Sequence, residues 1–125
     1  MGDNKKHKIL VIDDEYDLGL LIKDFADDLG YLCWIATDTD SGLKIVSEER
    51  PEVVFMDVVI PQAGGIECLK RIKALYPETI VIMITGMQDE GLAKQSIQAG
   101  AYDYITKPFE LEHLETQFLS RIFPQ

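Results

Sequence analysis

Five polar side chains stand where short apolar runs end: Asp13 and Asp14 after KILVI, Asp57 after VVFM, Thr85 after TIVIMI, and Lys107 shortly after YDYI. Three carboxylates brought together repel one another and raise one another's pKa values unless a cation joins them. Hard oxygen donors at a partly open edge suit Mg²⁺, which keeps several waters and shares its shell readily with a phosphoryl group. A Lys ammonium and a Thr hydroxyl opposite such an ion would bind further phosphoryl oxygens, so the set is suited to phosphoryl transfer. A carboxylate can itself be the nucleophile and become an acyl phosphate. Asp57, enclosed by its apolar run, is the candidate for that role.

Each residue alone also has a plainer account. Asp13 or Asp14 could cap a following helix, with Glu15 favouring the same helix dipole. Asp57 could be a turn residue ahead of Ile60 and Pro61. Thr85 opens TGMQ, a capping-box pattern. Lys107 could be a solvated charge and Tyr104 an ordinary half-buried aromatic. The elements that carry these residues decide between the single and the joint readings.

The runs KILVI (8–12), YLCWIA (31–36), VVFM (53–56) and TIVIMI (79–84) are β-branched or aliphatic without alternation, the pattern of strands buried on both faces of a parallel sheet. A weaker fifth strand, YDYI (102–105), follows Gly100. Between them the period becomes helical. Leu18, Leu21, Ile22, Phe25 and Leu29 form one apolar face that stops at Gly30. Leu43 and Val46 mark a second helix ending before Pro51, and Ile66, Leu69, Ile72 and Tyr76 a third ending before Pro77. Leu92 and Ile97 suggest a fourth, up to Gly100; Leu111, Leu114, Phe118 and Ile122 a fifth. Strand then helix, repeated five times, implies right-handed crossovers and a doubly wound α/β domain. Ligands in such folds bind beyond the carboxyl ends of the strands, where the five polar residues fall and where helix N-termini point their positive ends.

The 125 residues, 46% of them hydrophobic, suffice for one core, so one domain is expected over 1–125 with an ordered part of about 7–123. Twenty-two acidic against 12 basic residues give a formal charge of −10, which argues against direct binding of nucleic acid or an anionic membrane. Cys33 and Cys68 are too few and too far apart for a disulfide framework and read as small buried groups of a cytoplasmic protein. The polar start, MGDNKKHK, precedes an apolar stretch far short of a signal peptide or a membrane span. No repeat or linker divides the chain.

Taken as an ordered set, ILVIDDE, VVFMDVVIPQAGGIE, VIMITG and GAYDYITKPF resemble the receiver domain of response regulators in two-component signalling, over nearly the whole chain. The resemblance implies a flavodoxin-like (βα)5 fold with parallel strand order 2-1-3-4-5. It implies phosphorylation of Asp57 by the phosphohistidine of a histidine kinase or phosphotransfer protein. Mg²⁺ would be bound by Asp14, Asp57 and the main-chain carbonyl of Val59, with Asp13 acting mostly through water. Lys107 would pair with the phosphoryl group and Thr85 move to hydrogen-bond it. Tyr104 would turn inward after Thr85, relaying the change to the face of helix 4, strand 5 and helix 5. A cis Lys107–Pro108 peptide is implied as well. The chemistry would be limited to the domain's own phosphorylation and slow dephosphorylation. The output is left open between an effector domain beyond Gln125 and a separate protein target, with or without a phosphorylation-dependent dimer.

Ile60, Ala63 and Gly64 depart from residues common at their positions in the family, and none of them removes a site residue. In the family the positions two after Asp57 and Thr85 flank the path of a hydrolytic water; here they hold the bulky apolar Val59 and Met87, and the resemblance therefore implies a longer life of the phosphorylated state. Two other classes fit less well. A flavin protein of this fold would carry a Ser, Thr and Gly-rich phosphate loop after strand 1, where this chain has DDEYD. An aspartyl-phosphate phosphatase would place its nucleophile in a DxD motif there, and the residue two after Asp13 is Glu15.

Overall fold

The structure, a computed structural model, describes residues 6–60, 64–86 and 90–124. Five strands, β1 (Lys8–Ile12), β2 (Leu32–Ala36), β3 (Val53–Asp57), β4 (Ile80–Thr85) and β5 (Asp103–Thr106), form one parallel sheet in the order β2-β1-β3-β4-β5. This is the flavodoxin-like order expected from the sequence. Four helices fill the crossovers: α1 (Tyr16–Asp28), α2 (Thr39–Glu49), α3 (Gly65–Leu75) and α4 (Glu90–Gln98).

The unbroken hydrophobicity of the central strands follows from the pleat, which sends successive side chains to opposite faces. Ile9, Val11, Val53, Phe55, Ile82 and Ile84 meet α1 and the C-terminal helix on one side. Leu10, Ile12, Val54, Met56, Val81 and Met83 meet α2, α3 and α4 on the other. Cys33 and Cys68 are buried free thiols whose surroundings push them up to about 12 and about 11, so both stay protonated and inert.

The helices depart from the sequence pattern in three places. In α1 the buried stripe is Gly19, Ile22 and Ala26, and Leu21 is 55% exposed. Gly19 sets this rotation, because a Cβ there would stand 2.7 Å from the Ile35 side chain, so the helix rests on its glycine. In α4 the buried positions are Ala93 and Ser96, and Ile97 faces outward. Ser96 can be buried because its hydroxyl donates to the Leu92 carbonyl at 2.8 Å. The C-terminal segment is not one regular helix. A short α5 (Leu111–Leu114) widens into a π turn (Glu115–Leu119) before α6 (Ser120–Ile122). The hydroxyls of Thr116 and Ser120 donate to the carbonyls four residues back, a competition with the helix ladder that bends helices. The wide turn brings Phe118 and Leu119 into the core together, with Phe118 edge-on to Phe55.

Candidate functional site

The polar residues marked by the sequence meet at the carboxyl ends of β1, β3, β4 and β5. Asp57 and Thr85 are the last residues of β3 and β4 rather than the first residues of loops, which fixes their backbones in the sheet ladder. Asp13 continues β1 by one rung, its N–H donating to the Ala36 carbonyl at 3.0 Å. The loop after Asp57 is pinned as well. The Val58 N–H donates to Ile84 O and the Gly65 N–H to Val58 O, each at 2.9 Å. The Lys107 N–H donates to the Thr85 carbonyl at 2.7 Å, and the Lys107–Pro108 peptide is cis, as the motif resemblance implied.

Asp13 is fully buried and Asp57 nearly so. One oxygen of Asp13 accepts from the Glu15 N–H at 2.8 Å, and one of Asp57 from the Val59 N–H at 2.9 Å. Lys107 Nζ lies 3.1 Å from Asp57 Oδ2, 3.4 Å from Asp13 Oδ2 and 2.8 Å from Glu15 Oε1. Asp13 Oδ2 is buried and accepts no hydrogen bond; the ammonium at 3.4 Å supplies only a weakly directed attraction. Burial therefore pushes the Asp13 carboxyl up to about 6, with repulsion from Asp57 adding to it and the Glu15 N–H and Lys107 opposing it. Burial works against the charge on Lys107, yet its hydrogen bonds to Glu15 and Asp57 hold it above the usual Lys range. Glu15, bonded to Lys107, lies below the usual carboxylate range.

Oxygens of Asp13, Asp14 and Asp57 lie within 4.8 Å of one another, a pocket able to hold a metal ion. The buried oxygen that accepts no hydrogen bond is an electrostatic argument for such an ion, since an uncompensated buried carboxylate is costly. All donors are hard oxygens, which favours a cation such as Mg²⁺ over a softer metal.

The remaining marked residues lie around this centre. Thr85 is buried at the end of β4 and sits opposite Thr106 in the sheet register. The Val59 side chain is exposed beside Asp57. Met87, its expected counterpart, and Ala63 lie outside the described residues. Tyr104 is 41% exposed and, with Thr85, Glu90 and Ala93, lines a cleft of about 320 Å³ between α4 and β5. Roomier clefts, one of about 500 Å³ beside His7, Arg50 and Phe123, lie at the opposite ends of the strands, so size does not mark the site. The sequence reading missed the Glu15 side chain in this centre and assigned it only to the helix dipole. Only the topology closes the 92-residue gap to Lys107.

The family model for the response regulator receiver domain matches residues 9–118. NtrX, the nitrogen assimilation regulatory protein of Azorhizobium caulinodans, is 37% identical over 86% of this chain, which spans only 24% of that protein. The sporulation initiation phosphotransferase F of Bacillus subtilis is 34% identical, with 86% of each chain covered. A CheY-like receiver domain protein from Methanospirillum hungatei superposes with a TM-score of 0.88 at 27% identity over 94% of each chain. The acidic pocket at the switch point of a 2-1-3-4-5 sheet and the match over most of its length agree: the chain belongs to the response regulator receiver domains of two-component systems.

Proposed function

We propose that the chain accepts a phosphoryl group on Asp57 from the phosphohistidine of a histidine kinase or phosphotransfer protein. The observation that carries this reading is the Lys107 ammonium, 3.1 Å from Asp57 Oδ2 within a three-carboxylate pocket that contains a buried oxygen without a hydrogen bond. A carboxylate oxygen of Asp57 attacks phosphorus as the N–P bond breaks. The bonding pair leaves with the imidazole, which takes up a proton, and Asp57 becomes an acyl phosphate.

Asp14, Asp57 and the Val59 carbonyl would hold Mg²⁺, with Asp13 close by and acting mostly through water. The ion, when bound, offsets negative charge on the phosphoryl oxygens. Lys107 pairs with one of those oxygens and the Thr85 hydroxyl turns to donate to another. The cleft between α4 and β5 is where the Tyr104 ring would go, changing the α4, β5 and α5 face. Output would follow through an effector domain, a separate target or a dimer formed on that face. Residues 7–123 would form the folded receiver. No helix among the described residues is long and apolar enough to cross a membrane, and a cytoplasmic location fits the two inert thiols.

Incubation with Mg²⁺ and acetyl phosphate, followed by mass spectrometry, tests the reading. Wild type should gain one phosphoryl group on Asp57, Asp57→Asn none there, and Asp14→Ala should lose Mg²⁺-dependent labelling while keeping its fold. Equal labelling of wild type and Asp57→Asn would end it.

A further inference from the structure

Glu15 stands at the N-cap position of α1, yet its side chain makes no capping bond to that helix. It reaches across to Lys107 and makes the shortest of that residue's three carboxylate contacts, 2.8 Å against 3.1 Å to Asp57 and 3.4 Å to Asp13. Two of the ammonium's three N–H donors go to Glu15 and Asp57, and Asp13 lies within ion-pair distance at 3.4 Å, so three carboxylates compete for one positive charge. The competitors are unlike: the Asp13 side chain is 0% exposed and that of Asp57 11%, whereas that of Glu15 is 65% exposed. The shortest contact of the ammonium is thus with the carboxylate most open to solvent, and the longest with the buried Asp13. Among the described residues Glu15 pairs with no other cation, and the cleft it shares with Lys107 is walled by Leu18, Pro108 and Phe109. Its backbone is also tied to the acidic centre, through the N–H that donates to Asp13 Oδ1 at 2.8 Å.

We infer that Glu15 is a positioning residue that restrains phosphorylation: it must release the Lys107 ammonium before that group can serve phosphoryl oxygens on Asp57, and its own charge repels an anionic donor at the mouth. This rests on the function proposed above. Being exposed, Glu15 is the contact most easily surrendered to water, so the restraint should be modest and sensitive to salt.

The test compares wild type, Glu15→Gln and Glu15→Asp for the rate of Asp57 labelling by acetyl phosphate and by phosphoramidate, a donor of lower charge, at low and high ionic strength. The ¹⁵N shift of Lys107 Nζ and the Mg²⁺ dissociation constant are measured alongside. Glu15→Gln should label about threefold faster with acetyl phosphate, on the scale of a half-exposed ion pair, with a smaller gain from phosphoramidate and at high salt. Glu15→Asp keeps the charge but falls one methylene short of the contact, so its rate should lie between. The Lys107 Nζ signal should move in both variants. If Glu15→Gln is labelled no faster than wild type while binding Mg²⁺ as tightly, the restraint does not exist and the receiver reading stands. If wild type is not labelled at all, both fall together.

Discussion

Gly65 lies so close to Asp57 that a Cβ on it would collide with the Asp57 carbonyl oxygen and come within 2.8 Å of Val58 Cα. The obstacle is backbone at the end of a central strand, which cannot swing aside as a flexible side chain would. Gly65→Ala should therefore displace α3 from the site loop and destabilise the fold by about 1–3 kcal/mol, the cost of overpacking. Thermal melting and the rate of Asp57 labelling should fall together. The neighbouring Gly64, at φ 81° with open space around its α-carbon, should respond to substitution through backbone strain and not through a clash.

Asp13 carries a stability term that depends on pH. Its carboxyl is raised from 3.8 to about 6, so between those values the folded chain holds a proton that the unfolded chain has lost. Stability of the metal-free protein from this group therefore falls as pH rises from about 4 to about 6, and above that the full penalty, of order 2–3 kcal/mol, is present. Asp13→Asn should be the more stable protein in EDTA at neutral pH, with a flatter profile across that window. Urea unfolding at pH 5 and pH 7.5 measures both effects. A variant no more stable than wild type at pH 7.5 would show that the buried charge is compensated.

Mg²⁺ should raise the melting temperature of wild type, since a ligand that binds only the folded state stabilises it by mass action. Asp14→Ala should lose most of that increment, because the exposed Asp14 contributes to the pocket and little to the core. Asp13→Asn should lose part of it. Scanning calorimetry with and without Mg²⁺ separates the three proteins. Equal increments in all of them would mean that the ion binds elsewhere.

The phosphorylated state should be long-lived. The Val59 side chain is 60% exposed at the mouth of the site and cannot orient a water by hydrogen bonding. Val59→Asn combined with Met87→Glu should hasten decay about tenfold, the effect of ~1.4 kcal/mol in the transition state. Decay is followed after removal of donor and kinase. A double variant that is folded, phosphorylated and no faster than wild type would show that these side chains do not set the lifetime.

The helix rotations separate two residues that the sequence period treats alike. Phe118→Ala should cost about 3–5 kcal/mol, because Phe118 is buried against Phe55, whereas Leu21→Ala on the open side of α1 should change stability by no more than about 0.5 kcal/mol. Paired denaturation curves decide it.

The sheet was legible in the sequence because burial on both faces leaves a mark that no single helix face can: runs such as VVFM and IVIMI have no polar residue in either phase. The gathering of five polar residues at one edge of the sheet was legible because strand ends are punctuated, and a doubly wound fold brings those ends together. What the sequence left open depends on close packing between distant segments. Leu21 fits the helical period, but Gly19 lets α1 settle on Ile35 and turns Leu21 outward. The apolar spacing from Leu111 to Ile122 suits a regular helix, but the hydroxyls of Thr116 and Ser120 accompany a wide turn that brings Leu119 in beside Phe118. Glu15 reads as a helix-start residue by every local rule; its bond to Lys107 exists only because the ends of β1 and β5 are brought to one edge. Local periodicity and punctuation report how a segment meets solvent, and they are written in neighbouring residues. Helix rotation and cross-chain ion pairs are set by side-chain shape and charge from segments far apart in the chain, and those meet only when the tertiary structure forms.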